Sequence, residues 1–299
     1  MNTEFIRDYQ KIRENNFSFH ESKRGLIEVS GKEAVQFLNG LVTNDAAKLE
    51  ENSQMSAAFP NAQGRLLAVV KVMRRGEKFF FETDSMTHEK VFQNLFRFTY
   101  AGDFFVENLT ENFRCFEISN FKFQNTGASY IEFQSRFGKS CFVPTDLAEN
   151  FKNELINQNA VEISDELKEI LRVENGIPKY GVDMDETTIV PEIGIDGLIS
   201  YNKGCYIGQE IIARIHFRGH VAKQLRGLIF DDENAEIKPN DEIKSLDGKN
   251  AGRITSVTFS PKLEKKIALA FVRYDYLAEG TELKAGDLTA KVKNLPFIE

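Results

Sequence analysis

Residues 203–210 read Lys203-Gly204-Cys205-Tyr206-Ile207-Gly208-Gln209-Glu210, a cysteine two positions after a lysine, bracketed by glycines and opening onto a stretch of apolar periodicity. A thiol becomes a nucleophile, a metal ligand or a redox group when a cation or a helix N-terminus favours its thiolate, and this segment offers both. Gly204 and Gly208 give the backbone room to approach a ligand or to take a positive φ. The competing reading is a structural cysteine buried on a turn, the usual fate of an isolated cysteine. Lys203, the two glycines, Gln209 and Glu210 weigh against it.

Working outward, 299 residues with 41% hydrophobic content suffice for the cores of two or three domains. No apolar run has the length needed to cross a bilayer, and residues 1–12 are polar and mixed in charge rather than leader-like, so a soluble, cytoplasmic protein without a membrane partner is expected. Cys115, Cys141 and Cys205 are widely spaced and form no CxxC pair, which argues against a zinc ribbon or redox dithiol and fits a reducing compartment. His20, His88, His216 and His220 make no metal motif, and no metal is expected. The net charge of −7 argues against broad binding to nucleic acid. Charge is uneven, however. Residues 211–230 contain no acid but hold Arg214, His216, Arg218, His220, Lys223 and Arg226. Such a run is either a solvated basic face or an anion-binding wall, and its adjacency to the cysteine motif favours the wall.

The hydrophobic patterning predicts alternating strands and helices. A strand near 25–29 leads into Ser30-Gly31-Lys32-Glu33, which has the Ser-x-x-Glu form of a capping box, and Ala34, Phe37, Leu38 and Leu41 then follow at helical spacing. Segments 66–73 and 78–83 read as a hairpin through Gly76. Val91, Leu95 and Phe98 mark an amphipathic helix over 86–99. Strands are expected near 104–108, 114–119, 129–133 and 140–143, and helices over 145–158 and 164–175, the second ended by Gly176 and Pro178. After Lys223 the pattern changes to short strands near 225–230, 242–245, 251–258, 266–272 and 288–292, the signature of a small all-β barrel or sandwich. The 26 phenylalanines, with no tryptophan, read as core filling.

The motif at 203–210 resembles the signature of the YgfZ family, folate-binding relatives of the glycine-cleavage T-protein. The similarity extends over nearly the whole chain. Gly31-Lys32-Glu33-Ala34, Phe37-Leu38-Asn39-Gly40 and Thr43-Asn44-Asp45 resemble that family's first helix and the turn after it, and Asn61, Gly64 and Arg65 its Gly-Arg element. Arg172, Glu174, Gly176, Pro178 and Gly181 resemble the segment before the signature, Pro191-Glu192 its Pro-x-Glu-like approach, and Gly252-Arg253-Ile254-Thr255-Ser256 a strand of its C-terminal barrel.

The resemblance implies an α+β fold, two ferredoxin-like α+β units and a C-terminal β-barrel arranged as a ring around a central channel that holds tetrahydrofolate or a one-carbon-substituted folate. It implies a discontinuous first domain, 1–50 with 160–220, a second domain inserted at 51–159, and a barrel at 221–299. It further implies an accessory role in iron-sulfur cluster assembly or repair, with iron-sulfur client or assembly proteins as partners. The alternative is a folate-dependent one-carbon transferase of the aminomethyl type, or a tRNA-modification factor, although the overall charge does not favour tRNA. Whether the chain turns over a substrate stays open. Glycine-cleavage activity is disfavoured, because the T-protein segment corresponding to residues 64–69 ends in acidic residues, one of them catalytic, where this chain has Ala68 and Val69.

On the same resemblance Cys205 is the reactive residue and Lys203 its partner, close enough to favour the thiolate. Glu192 is the candidate to accept paired hydrogen bonds from a pterin edge, or else caps a helix. Arg65, Arg214 and Arg218 are candidates for the glutamate-tail carboxylates, with Arg65 alternatively bracing backbone carbonyls. Tyr206 and Gln209 complete the folate-binding candidates. Three roles stand for the thiol: attack on a one-carbon adduct, exchange with a disulfide, and brief ligation of a metal.

Overall fold

A computed structural model describes residues 3–14, 17–120, 130–135, 138–232 and 236–298. The chain divides into two compact units. One comprises Met1–Ala62, Leu67–Ser164 and Asp196–Gln209, the other Gln63–Leu66, Asp165–Ile195 and Glu210–Glu299. The expected strand over 129–133 begins one residue outside the described set.

The first unit contains α1 (Thr3–Arg13), β1 (Ser18–Ser22), β2 (Arg24–Ser30), α2 (Ala34–Leu41), β3 (Gln54–Pro60), β4 (Leu66–Arg75), β5 (Lys78–Asp84), α3 (His88–Phe96), β6 (Phe105–Asn108), β7 (Phe113–Ser119), β8 (Ile131–Ser135), β9 (Gly138–Pro144), α4 (Ala148–Asn157) and β10 (Val161–Glu162). One sheet runs β3-β4-β5-β2-β6 and the other β10-β1-β7-β9-β8. Within the first, β2-α2-β4-β5-α3-β6 in the spatial order β4-β5-β2-β6 is a ferredoxin-like βαββαβ arrangement, with β3 added at its edge.

The period-2 alternation of a strand explains why these strands read as nearly continuous apolar runs. Ile27, Val29, Phe79 and Phe81 pack with Leu38 of α2 and Val91 and Leu95 of α3. Their chain neighbours Leu26 and Phe80 belong, with Met73, to a second cluster shared with Cys115, Ile131, Phe133 and Phe142 of the other sheet. That sheet turns Phe116, Ile118, Cys141 and Val143 toward Phe151 and Leu155 of α4. The two sheets thus share one apolar layer, and each packs helices on its opposite side. Phenylalanines recur in all three layers and are the commonest filler of the shared layer and of the one against α4.

One local expectation fails. The residue before α2 is Glu33 rather than Ser30, and it makes no side-chain cap. Its Oε2 instead accepts the Asp103 N–H at 2.7 Å, while the Glu33 N–H donates to the Asp103 carbonyl. A part-buried loop backbone competed successfully for the carboxylate that a capping box would have used.

The second unit contains α5 (Asp165–Glu174), a short 3-10 turn (Val190–Ile193), α6 (Gln209–Arg218) and the strands β11 (Lys223–Phe230), β12 (Glu242–Ser245), β13 (Asn250–Ser260), β14 (Lys265–Arg273), β15 (Glu282–Ala285) and β16 (Leu288–Lys293). The strands close into a barrel in the order β11-β14-β13-β12-β15-β16. Its interior is filled by Leu228, Phe230, Ile254, Ala268, Ala270, Val272, Leu283 and Val292. The small alanines of β14 suit a narrow barrel. Alternate residues of the same strand, Ile267, Leu269 and Phe271, pack outside with Val173 of α5 and Phe297. The strand β15 is not among the expected strands, although its burial alternates as in β12, with Leu283 and Ala285 inside. No helix among the described residues is long and apolar enough to cross a membrane.

A buried ion pair ties α5 to the barrel within this unit. Asp183, 1% exposed, accepts from Arg172 at 2.7 Å, from the Lys179 N–H at 3.0 Å and from Thr255 and Ser256 at 2.6 Å each. Removing one partner of such a pair strands the other charge, at a cost of about 3–5 kcal/mol. Asp183→Asn is expected to lower the urea stability by that order, and Arg172→Met/Asp183→Leu to lose distinctly less. A double variant as unstable as the single one would show that the individual hydrogen bonds, not the stranded charge, dominate.

Candidate functional site

In the first unit, the turn after α2 is the platform for the cysteine motif. Thr43 pairs its N–H with the Ala58 carbonyl and accepts the Ala58 N–H on Oγ1, both at 2.9 Å, while Oγ1 donates to the Leu198 carbonyl at 2.7 Å. The Ser200 N–H donates to the Thr43 carbonyl at 3.0 Å. Asn44 bridges the Ser56 and Gly197 carbonyls with one amide nitrogen, each at 2.8 Å. Residues 197–200 are therefore laid along residues 42–44 through their backbone groups, held on the other side by the Thr43 hydroxyl and the Asn44 amide.

Lys203 continues this stitching. Its Nζ donates to the Val42 carbonyl at 2.8 Å and the Asn44 carbonyl at 2.6 Å, and stands 5.1 Å from the centre of the Tyr206 ring. Burial pushes the ammonium down from its ordinary value to about 8, with the Asp45 carboxylate opposing. The Tyr206 phenol is pushed up to about 12 by burial and, secondarily, by Tyr201, so it stays protonated at neutral pH. The Ile207 N–H donates to the Gly40 carbonyl at 3.1 Å, and Gly208 takes φ 79°, a conformation that costs any residue with a Cβ. The Gln209 N–H donates to the Tyr206 carbonyl at 3.1 Å where α6 begins.

Cys205 is exposed on this pinned loop, four residues before α6. Open space surrounds the Cβ position of Gly204. Cys115 and Cys141 are buried in the two apolar layers, and burial raises Cys115 well above the usual thiol range and Cys141 to about 12.

The second unit holds the other candidates. Gly64 takes φ 69°, and a Cβ there would press against Ile211 and Ile212 at 3.3 Å. The adjacent backbone joins Leu66 to Thr188 and Val190 to Gly64. Arg65 pairs with Ile189 in a β-bridge and donates from Nη1 to the Thr187 carbonyl at 3.1 Å. Glu192 is 5% exposed, and its Oε2 accepts the Ile189 N–H at 3.1 Å. Burial raises its carboxyl, against the opposing influence of that N–H, Lys223 and Arg65. Arg214 and Arg218 are exposed on α6. The structure thus brings Lys203, Cys205 and Tyr206 together in one unit, and Arg65 and Glu192 in the other.

Arg226 enters the sequence reading only as one member of the basic run over 211–230, without a role of its own. Its Nη1 donates to the Leu225 carbonyl at 3.0 Å, but among the described residues its Nε is buried without a hydrogen-bond partner, and burial lowers its affinity for the proton. A buried donor left unmade is costly. The signal available in the sequence was an arginine set inside the apolar strand Leu225-Arg226-Gly227-Leu228-Ile229-Phe230.

Comparison with known proteins agrees with this architecture. Residues 1–119 match the GCVT N-terminal domain and residues 223–298 match the glycine cleavage T-protein C-terminal barrel domain. It is similar to the aminomethyltransferases of Pseudothermotoga lettingae, 26% identical with 96% of this chain and 87% of the relative covered, and of Thermotoga neapolitana, 28% identical with 89% and 81% covered. It is also similar to the mitochondrial iron-sulfur cluster assembly factor IBA57 homolog of Mycosarcoma maydis, 26% identical with 69% of this chain and 55% of the relative covered. The crystal structure of the glycine cleavage system aminomethyltransferase T from Bartonella henselae shares the fold, with a TM-score of 0.88 at 19% identity over 99% of this chain and 90% of that one.

The Lys203 ammonium gives a signed expectation. Folded, it releases its proton near pH 8; unfolded, near 10.5. Between these values the unfolded chain binds more protons, so this residue's contribution to stability rises with pH. The melting temperature of the wild type relative to Lys203→Met should therefore increase from pH 7.5 to pH 10. A difference that is flat or falls over this window would show that the ammonium is not desolvated.

Proposed function

We propose that this chain is a YgfZ-like, tetrahydrofolate-binding accessory protein that supports iron-sulfur cluster assembly or repair, with Cys205 as the group presented to client or assembly proteins. The observation that carries this reading is an exposed cysteine on a loop locked by Lys203, in a chain that matches both T-protein-type domains but has Ala68 and Val69 where the resemblance places acids. Ala68 is fully buried and Val69 lies beside it in β4, so neither position supplies a carboxylate for aminomethyl transfer. The similarity to a protein named as an iron-sulfur cluster assembly factor points the same way.

The donor set suits a folate. Glu192 is a buried carboxylate with one hydrogen bond from protein and acceptor capacity to spare, the group a pterin edge with adjacent N–H donors requires. Arg226 offers a buried, unpaired N–H, and Arg65, Arg214 and Arg218 further guanidinium groups, to tail carboxylates. Tyr206 and Gln209 remain folate-contact candidates beside Cys205. Bound folate would supply a one-carbon carrier; the protein residues bind and orient it.

A second reading, a folate-dependent one-carbon transferase, is favoured by the aminomethyltransferase relatives that match 96% of the chain. The two separate cleanly. In cells lacking the wild-type copy, Cys205→Ala should leave iron-sulfur enzyme activities depressed, while the purified variant keeps its affinity for tetrahydrofolate. Intact cluster enzymes together with loss of one-carbon transfer in vitro would favour the transferase.

Loss of a hydrogen bond to a charged group is worth about 1.5–3 kcal/mol. Glu192→Gln should therefore weaken tetrahydrofolate binding by about tenfold or more, measured by fluorescence titration. Unchanged affinity would remove Glu192 from the ligand contacts.

A further inference from the structure

On the barrel surface, Lys223, Arg253 and Arg273 line one cleft with Ala222, Asn250 and Phe271, of about 290 Å³. The strand register forces the cations together. Lys223 of β11 lies directly opposite Arg273 of β14, and Arg253 of β13 lies opposite Phe271, two residues before Arg273 on the same strand. Like charges facing each other across a strand pair destabilise a sheet. Lys223 settles its ammonium 4.5 Å from the centre of the Phe271 ring, which forms the apolar floor.

Several other lysines of the barrel are neutralised, although Lys244 of β12 and Lys284 of β15 also face each other without an ion pair among the described residues. Lys249 pairs with Asp247, Lys265 with Asp231, Lys291 with Glu282 and Lys293 with Glu279, at 2.6–3.8 Å. Among the described residues Lys223, Arg253 and Arg273 form no ion pair. Asp185 feels Lys223 and Arg253, and Glu192 feels Lys223, but neither carboxylate closes to an ion pair with them. In a chain of net charge −7, three converging cations that make no ion pair mark a place suited to an anion from outside.

We propose that this cleft binds a phosphorylated ligand. Two guanidinium forks and an ammonium supply three positive charges, which match the multiple charge and tetrahedral oxygens of a phosphate or diphosphate better than a single planar carboxylate. The Asn250 amide adds neutral donors at the rim, and Phe271 gives the organic part of the ligand an apolar surface. The cleft shares no residue with the folate contacts named above, although its Lys223 lies within electrostatic reach of Glu192.

Pyrophosphate is the probe, titrated calorimetrically into the full chain at low salt. Saturable one-to-one binding is expected, weakened about tenfold or more in Arg253→Gln and in Arg273→Gln, consistent with loss of a charge-assisted contact. Lys291→Gln, elsewhere on the barrel, should leave it unchanged. Both arginines are exposed, and without ligand Arg273→Gln should melt no lower than the wild type, because it relieves repulsion rather than breaking a brace. The proposal is overturned by absence of saturation, by wild-type affinity in either arginine variant, by a ligand-free Arg273→Gln that melts lower, or by tri-glutamate binding more tightly than pyrophosphate.

Discussion

Thr43 has no solvent exposure, yet its side-chain oxygen and its backbone are fully committed, to Ala58 on one side and to Leu198 and Ser200 on the other. A β-branched hydroxyl residue is suited to this: it is stiff at χ1 and both donates and accepts through one atom. Everything distinctive about the cysteine loop follows from that junction. With residues 197–200 fixed along residues 42–44, the Lys203 ammonium can reach two carbonyls on the same turn, and Cys205 is left outside on a short span with both ends held. The partial desolvation of Lys203 is the thermodynamic counterpart of that anchoring.

The sequence made the elements legible where periodicity was strong. The hairpin β4–β5, the helices α3, α4 and α5, and most barrel strands fall within a few residues of their hydrophobic patterns. What failed were features decided at long range. Glu33 looks like half of a capping box until Asp103, 70 residues later, claims it. Lys203 reads naturally as a companion of Cys205, but its hydrogen-bond acceptors lie 161 and 159 residues earlier in the chain. Short-range spacing can identify a chemically unusual lysine and cannot say what it touches. The strand β15, with two buried side chains, exists because its neighbours β12 and β16 complete the barrel, a constraint absent from its own four residues.

The second unit divides its buried charges into two kinds. Arg172 and Asp183 are saturated by each other and by Thr255 and Ser256, so they hold structure. Glu192 is buried and Arg226 half-buried with its Nε covered, and both are incompletely used, the first with a single protein donor and the second with an unbonded Nε. Burying polar groups short of their hydrogen-bonding capacity costs stability, and natural folds retain such groups mostly where something else completes them. The contrast within one unit separates charges whose hydrogen-bonding capacity is filled from charges with capacity left over.

The three thiols also differ in a practical way. Cys115 and Cys141 are sealed in apolar layers and held protonated by their surroundings, while Cys205 faces solvent. The native protein therefore carries one addressable sulfur at the tip of a rigid loop. A fluorophore, spin label or crosslinker attached through maleimide chemistry goes to a single defined position, with no engineered background, and reports on whatever approaches that loop.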